Sequence, residues 1–146
     1  LLKKKEKDGD YRLKSYIVDA VAFLAYLADI LPTKANDIFK KAENEQVKLF
    51  LPSIALGETL YTIYKGKEIF GKSIPVNKIE LIFQILREQT ILEIINLDLE
   101  GWQFFHSIEI PEMHDRMIRA SLKLVRAEAI ITNDSEIAEQ FSTIWE

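Results

Sequence analysis

The chain has 146 residues, the size of one ordinary domain, with 48% hydrophobic and 29% charged residues, a balance that fits a folded core and excludes disorder. It has no cysteine, which excludes disulfides, thiol nucleophiles and thiolate zinc sites, and its two histidines, His106 and His114, form no His-Glu-x-x-His pattern. Net charge is −4, but residues 1–14 hold six basic and three acidic groups, so the rest of the chain carries −7. A body that acidic is poorly suited to sequence-independent nucleic-acid binding, which rests on cation–phosphate contacts, unless its acids gather at one spot.

The longest uncharged apolar run, Ala20 to Ala28, is nine residues, against the roughly 20 that a membrane-spanning helix needs. The basic start leads into Asp8-Gly9-Asp10 and not into an apolar signal region, so a cytoplasmic chain without membrane contact is expected. No G-x-S-x-G elbow occurs, which leaves any catalysis to carboxylates, hydroxyls, Lys or Arg.

Residues 1–14 read as a basic, mobile tail and 15–146 as one domain. Ser15-Tyr16-Ile17-Val18 is a β-prone run, followed by an apolar helix from Ala20 to Leu31. Thr33 is placed to cap a helix reaching about Glu45. Lys48 to Leu51 is a second strand, and Ser53 is expected to cap a helix with Leu56, Leu60 and Ile63 on its inner face. Gly66 to Ser73 reads as a loop, and Val76 to Glu88 as a helix burying Ile79, Ile82, Phe83 and Leu86. Thr90 to Ile95 is a strand, Asp98 caps a helix through His106, and a further helix runs from about His114 to Arg126. Ala129 to Thr132 is a buried strand, Asn133-x-x-Glu136 has the form of a capping box, and Ser142 to Trp145 reads as an edge strand. Strands alternating with helices, without hairpin signals, predict a three-layer α/β/α sandwich around a mainly parallel sheet.

Ligands bind such sheets beyond the carboxyl ends of the strands. Asp19 directly follows the first strand and Asp134 follows the Ala129–Thr132 strand. Singly, each also suits a helix N terminus as a cap or first-turn acid. Glu58 sits one to two turns into a helix among Ile54, Leu56 and Leu60, an unusual place for a solvated acid, and Asp115 opens the helix leading back to the Ala129 strand. Four carboxylates gathered at one edge repel each other unless a cation lies between them. Oxygen-only donors suit Mg²⁺ or Mn²⁺, and the chemistry then points to phosphodiester hydrolysis.

Four segments carrying these acids, Tyr16-Ile17-Val18-Asp19-Ala20, Leu51 to Glu58, Ile110 to Ala120 and Ile130-Ile131-Thr132-Asn133-Asp134, together resemble the motifs of PIN-domain ribonucleases. Pro111-Glu112-Met113-His114-Asp115-Arg116 and the terminal Thr143-Ile144-Trp145 resemble the VapC-type toxin branch of that family. The match runs from about Ser15 to Trp145 with order and spacing kept. The resemblance implies Mg²⁺- or Mn²⁺-dependent RNA cleavage at Asp19, Glu58, Asp115 and Asp134, with Thr132 as a hydroxyl neighbour. Ser53 is expected beside the site, and His114, next to Asp115, invites a general-base role but reads better as an orienting or packing residue, since a metal supplies the hydroxide. It implies RNA as substrate, a small antitoxin protein as partner and a homodimer. Where the family often has a small hydroxyl residue after the first Asp, this chain has Ala20 and Val21. The alternatives are RNA processing outside a toxin system and a weakly active interaction module.

Two further signals compete. Gly66-Lys67-Glu68-Ile69-Phe70-Gly71-Lys72-Ser73 matches the nucleotide-binding pattern G-x-x-x-x-G-K-[ST], with Asp98 as a conceivable metal-binding partner. Its context is wrong: a helix precedes it, Ile69 and Phe70 add bulk, and Pro75 interrupts the helix that should follow. Arg116, Arg119, Lys123 and Arg126 recur at helical spacing, either as a solvated face or as contacts to RNA phosphates, with Arg116 the expected lead contact. Trp102, Phe104 and Phe105 read as core or interface residues.

Overall fold

A computed structural model describes residues 13–146. The basic segment 1–14 therefore lies outside the described residues except for Leu13 and Lys14. The Lys14 carbonyl already accepts the Lys48 N–H at 2.9 Å, so strand pairing begins one residue before the expected boundary.

Five parallel strands form the central sheet: β1 (Ser15–Val18), β2 (Lys48–Pro52), β5 (Leu92–Ile95), β6 (Ala129–Ile131) and β7 (Thr143–Ile144). Their spatial order is β5-β2-β1-β6-β7. Tyr16, Ile17 and Val18 are buried in succession, as are Ala129, Ile130 and Ile131, so both faces of the central strands are covered. The cover comes from α1 (Ala20–Leu27), α2 (Thr33–Glu43), α3 (Ser53–Tyr64), α4 (Ile79–Glu88), α5 (Leu99–Ser107), α6 (Met113–Val125) and the single turn α7 (Ser135–Ala138). The expected α/β/α arrangement is the one observed. None of these helices, among the described residues, is long and apolar enough to cross a membrane.

Local chemistry accounts for most departures from the sequence reading. The first helix stops at Leu27, because Asp29 takes a left-handed conformation (φ 59°) and the N–H groups of Asp29 and Ile30 turn back to Tyr26 and Ala25. Neither Thr33 nor Ser53 is a cap; Pro32 and Pro52 hold those positions without a side-chain bond, and each expected cap is the first helical residue. The inner face of α3 is Ala55, Thr59 and Ile63, with Leu56 and Leu60 only partly covered. In α4, Ile85 is buried and Phe83 points outward, 38% exposed. Asp98 caps α5 as expected, accepting the Gly101 N–H at 2.9 Å.

The segment expected as a loop is a β-hairpin. Strands β3 (Glu68–Ile69) and β4 (Lys72–Ser73) pair antiparallel around Phe70-Gly71. Both turn residues have positive φ, 51° and 82°, the two-residue turn whose twist suits a hairpin. A nucleotide-binding loop needs its amides wrapped around phosphate at the start of a helix. Here those residues form a strand–turn–strand, so the pattern match has no structural counterpart.

Candidate functional site

The chain runs from β1 to β2 on one side of the sheet and later adds β6 on the other, so the strand order reverses beside β1. In open parallel sheets that reversal leaves a crevice beyond the strands' carboxyl ends. Asp19 and Asp134 emerge there, and the Asp19 N–H reaches the Ile131 carbonyl at 3.4 Å. A cavity of about 430 Å³ opens at this place, lined by Asp19, Glu58, Asp115 and Asp134, with Glu112 and His114 beside them. Leu24, Ile69, Ile118 and Ile137 form its apolar wall. All four acids expected from sequence face one cavity.

Each acid is held by a local device. Asp19 Oδ1 accepts the Ala22 N–H at 2.9 Å and caps α1. Asp134 Oδ1 accepts the N–H groups of Glu136 and Ile137 at 2.8 and 3.4 Å, so Asp134, not Asn133, caps α7. The capping reading and the cavity reading hold together for both residues, since a carboxylate has an oxygen to spare. The Thr132 hydroxyl accepts the Asp134 N–H at 3.0 Å and, as a hydrogen-bonding neighbour, favours the ionised form of Asp19. Glu58 Oε2 lies 2.7 Å from His114 Nδ1. Glu112 caps α6 by accepting the Asp115 N–H at 2.8 Å, and its other oxygen lies 4.0 Å from His114.

The electrostatics follow from this crowding. Burial pushes the Asp19 carboxyl up to about 6, with the Asp134 and Glu58 charges adding to the shift and the Thr132 and Ala22 hydrogen bonds opposing it. Asp115 is also raised, by burial first and then by Asp134 and Glu112, while the Arg119 cation opposes. A hard divalent cation suits this set, because its donors are all oxygens and its excess negative charge is what burial disfavours. Among the described residues no three such side chains already stand close enough to enclose an ion. Glu58 is drawn to His114, and Asp19 and Asp134 each commit an oxygen to a helix end.

The arginine stripe and Ser53 are corrected. Arg119 is 1% exposed; its guanidinium bonds Gln140 Oε1 at 3.0 Å and the Glu136 carbonyl at 3.2 Å, and stacks over Phe141 at 4.5 Å. Among the described residues, its Nε is buried without a partner. The guanidinium thus joins α6 to α7 and does not face phosphate in solvent. Arg116 bonds the carbonyls of Phe105 and His106 at 2.8 and 3.1 Å, closing the C-terminal end of α5, where a cation meets the negative end of the helix dipole. Lys123 and Arg126 are exposed at the end of α6 remote from Asp115. Ser53 is exposed and does not line the cavity. Sequence reasoning missed Glu112 as a cavity residue, although its place three residues before Asp115 is an N-cap signal.

The class defined by this fold and cavity is a PIN-like α/β domain with an acidic pocket at the strand-order reversal. Among solved structures, the chain has the fold of VapC toxins. It is similar to VapBC2 of Rickettsia felis, solved bound to a DNA fragment from its promoter, at a TM-score of 0.65 and 17% identity, covering 90% of this chain and 99% of that one. It is also similar to VapC20 of Mycobacterium tuberculosis, a sarcin–ricin-loop-cleaving toxin, at a TM-score of 0.60 and 13% identity, with the same coverages. At these identities the likeness is one of fold. No protein-family model matches the chain. No curated protein sequence matches it either.

Proposed function

We propose that this chain is a Mg²⁺- or Mn²⁺-dependent endoribonuclease and the toxin of a toxin–antitoxin pair. The observation that carries the reading is the convergence of Asp19, Glu58, Asp115 and Asp134, from four separate segments, on one cavity. The fold shared with an RNA-cleaving toxin and with a VapBC2 assembly supports it. Asp19, Glu58, Asp115 and Asp134 would hold the ion, which when bound supplies an activated water and stabilises charge on the phosphodiester.

The chain's own groups prepare that site. His114 orients Glu58, the Glu112 cap fixes the first turn of α6 and with it Asp115, and Thr132 steadies the backbone that presents Asp134. The apolar wall of Leu24, Ile118 and Ile137 thins the water around the carboxylates and so strengthens their fields. A small antitoxin and a second copy of the chain are the proposed protein partners. Exposed Leu99 and Trp102 on α5, 76% and 47% accessible, offer apolar surface for such contacts.

The test is incubation of the purified chain with structured RNA, including a sarcin–ricin-type stem-loop. Cleavage with Mn²⁺, none with chelator, and a loss of 100-fold or more in Asp19→Asn and Asp115→Asn are expected, on the order of removing a key electrostatic group. Cleavage that persists in chelator, or survives both substitutions, overturns the reading.

A further inference from the structure

The acidic cavity needs cations at its rim to admit a polyanion, but Arg116 and Arg119 are bonded elsewhere, and Lys123 and Arg126 lie at the far end of α6. A basic segment borders the cavity at the end of α3 and the β3–β4 hairpin, where Thr62 and Ile69 are lining residues. Residues 61–73 contain Lys65, Lys67 and Lys72 against the single acid Glu68, a net +2 within a body of −7.

The local backbone builds this surface. Gly66, at φ 66°, ends α3, and the N–H groups of Gly66 and Lys67 turn back to the carbonyls of Ile63 and Thr62 at 3.0 and 3.2 Å. That reversal folds Lys67 over the last helical turn. The Lys65 and Lys67 ammonium groups then lie 5.6 and 5.2 Å from the centre of the same Tyr61 ring. Tyr61 stands three residues after Glu58, the neighbouring position on the helix surface. Thr62, directly after Tyr61, and Ile69, two residues after Lys67, line the acidic cavity. Three rings here are more than half exposed: Tyr61 at 54%, Tyr64 at 65% and Phe70 at 58%. Phe70, at the hairpin tip, also stands 6.0 Å from Trp145.

The geometry points to a binding rim for single-stranded RNA, in which Lys65 and Lys67, held by Tyr61, take the backbone phosphates of nucleotides flanking the bond to be cut, and the exposed rings take unstacked bases. Lysines interleaved with accessible aromatic faces are the composition that reads single strands, because every unstacked base offers a π-face and every nucleotide a phosphate. A duplex hides its base faces in its own stack. This inference rests on the ribonuclease reading and specifies which form of RNA that site takes.

The experiment measures the fluorescence anisotropy of a labelled single-stranded RNA against the full chain, in chelator and over a range of salt. The Lys65→Ala/Lys67→Ala variant should bind about tenfold more weakly and lose about 1.4 from its salt slope, at roughly 0.7 per phosphate contact. Tyr61→Ala should also lose about tenfold. A charge-matched control, Lys40→Ala/Lys41→Ala in the last turn of α2, should stay within about twofold of wild type. Wild type should prefer the single strand to its annealed duplex. Equal losses in the control, or unchanged binding in both rim variants, overturn the rim. So does a rim variant that keeps RNA affinity and changes the oligomeric state in sedimentation, which would make the surface a protein contact. If wild type neither binds nor cleaves RNA, the ribonuclease reading falls as well; if it cleaves RNA and the rim variants bind normally, only the rim falls.

Discussion

His114 Nδ1 stands 2.7 Å from Glu58 Oε2, joining the first turn of α6 to the middle of α3 across the acidic cavity. The imidazole N–H donates to the carboxylate and fixes one of the four cavity acids, while Glu112 faces the same ring at 4.0 Å. Outer hydrogen-bond partners of this kind typically change metal affinity 10- to 100-fold. His114→Ala should therefore weaken Mn²⁺ binding by about tenfold in calorimetric titration, with the fold retained. Unchanged affinity would reduce the contact to a fastening between two helices.

Asp134 separates two effects that one substitution normally mixes. Its Oδ1 caps α7, and its charge raises both Asp19 and Asp115. Asn keeps a capping oxygen and removes the charge; Ala removes both. In chelator, Asp134→Asn should melt above wild type, and Asp134→Ala should lose about 1 kcal/mol relative to Asn. Both should lose most of the Mn²⁺ stabilisation, which for wild type at 100 times the dissociation constant is about 2.7 kcal/mol. Thermal melts with chelator and with Mn²⁺ provide the comparison. A full Mn²⁺ shift in both variants would remove Asp134 from the site.

Arg119 is a buried tie between α6 and the α7 segment, packed on Phe141. Arg119→Ala should cost roughly 2 to 3 kcal/mol, from lost packing and from the Gln140 and Glu136 acceptors left behind. Arg119→Met keeps much of the packing and removes a desolvated charge, so it should cost less. Denaturant titration measures both. Neither variant should change the salt slope of RNA binding; a smaller slope would restore Arg119 as a phosphate contact.

The Asp19 carboxyl gives the metal-free protein a defined pH response. Its folded value of about 6 lies above the ordinary 3.8, so the folded state holds an extra proton between those values. The resulting stabilisation is complete below about pH 3.8 and is lost as pH rises through 6. It amounts to roughly 2 to 3 kcal/mol. Asp115, also raised, acts with the same sign. In chelator, the stability difference between wild type and Asp19→Asn should therefore move against wild type from pH 4 to 6.5. Mn²⁺ affinity should rise over the same interval, because the ion competes with protons for the carboxylates. A difference independent of pH would show that Asp19 titrates normally.

Local chemistry was enough to read most of the frame. Ser15–Val18, Lys48–Leu51 and Ala129–Ile131 are short β-branched or apolar runs, and their alternation with helical segments implies a parallel sheet. Asp19 and Asp134 follow such strands directly, so chain geometry alone sends them to the same edge. Only tertiary packing decided the rest. The fate of Arg119 depends on α7 and Phe141 folding over one side of α6, which the spacing of Arg116, Arg119 and Lys123 does not contain. Gly66 to Ser73 matched a phosphate loop letter for letter, yet the left-handed backbone at Phe70 and Gly71 turns it into a hairpin. Glu58 and His114 are 56 positions apart, and their hydrogen bond exists because α3 and α6 pack together. Periodicity records which residues share a face of one element; what covers that face is set by elements distant in the chain.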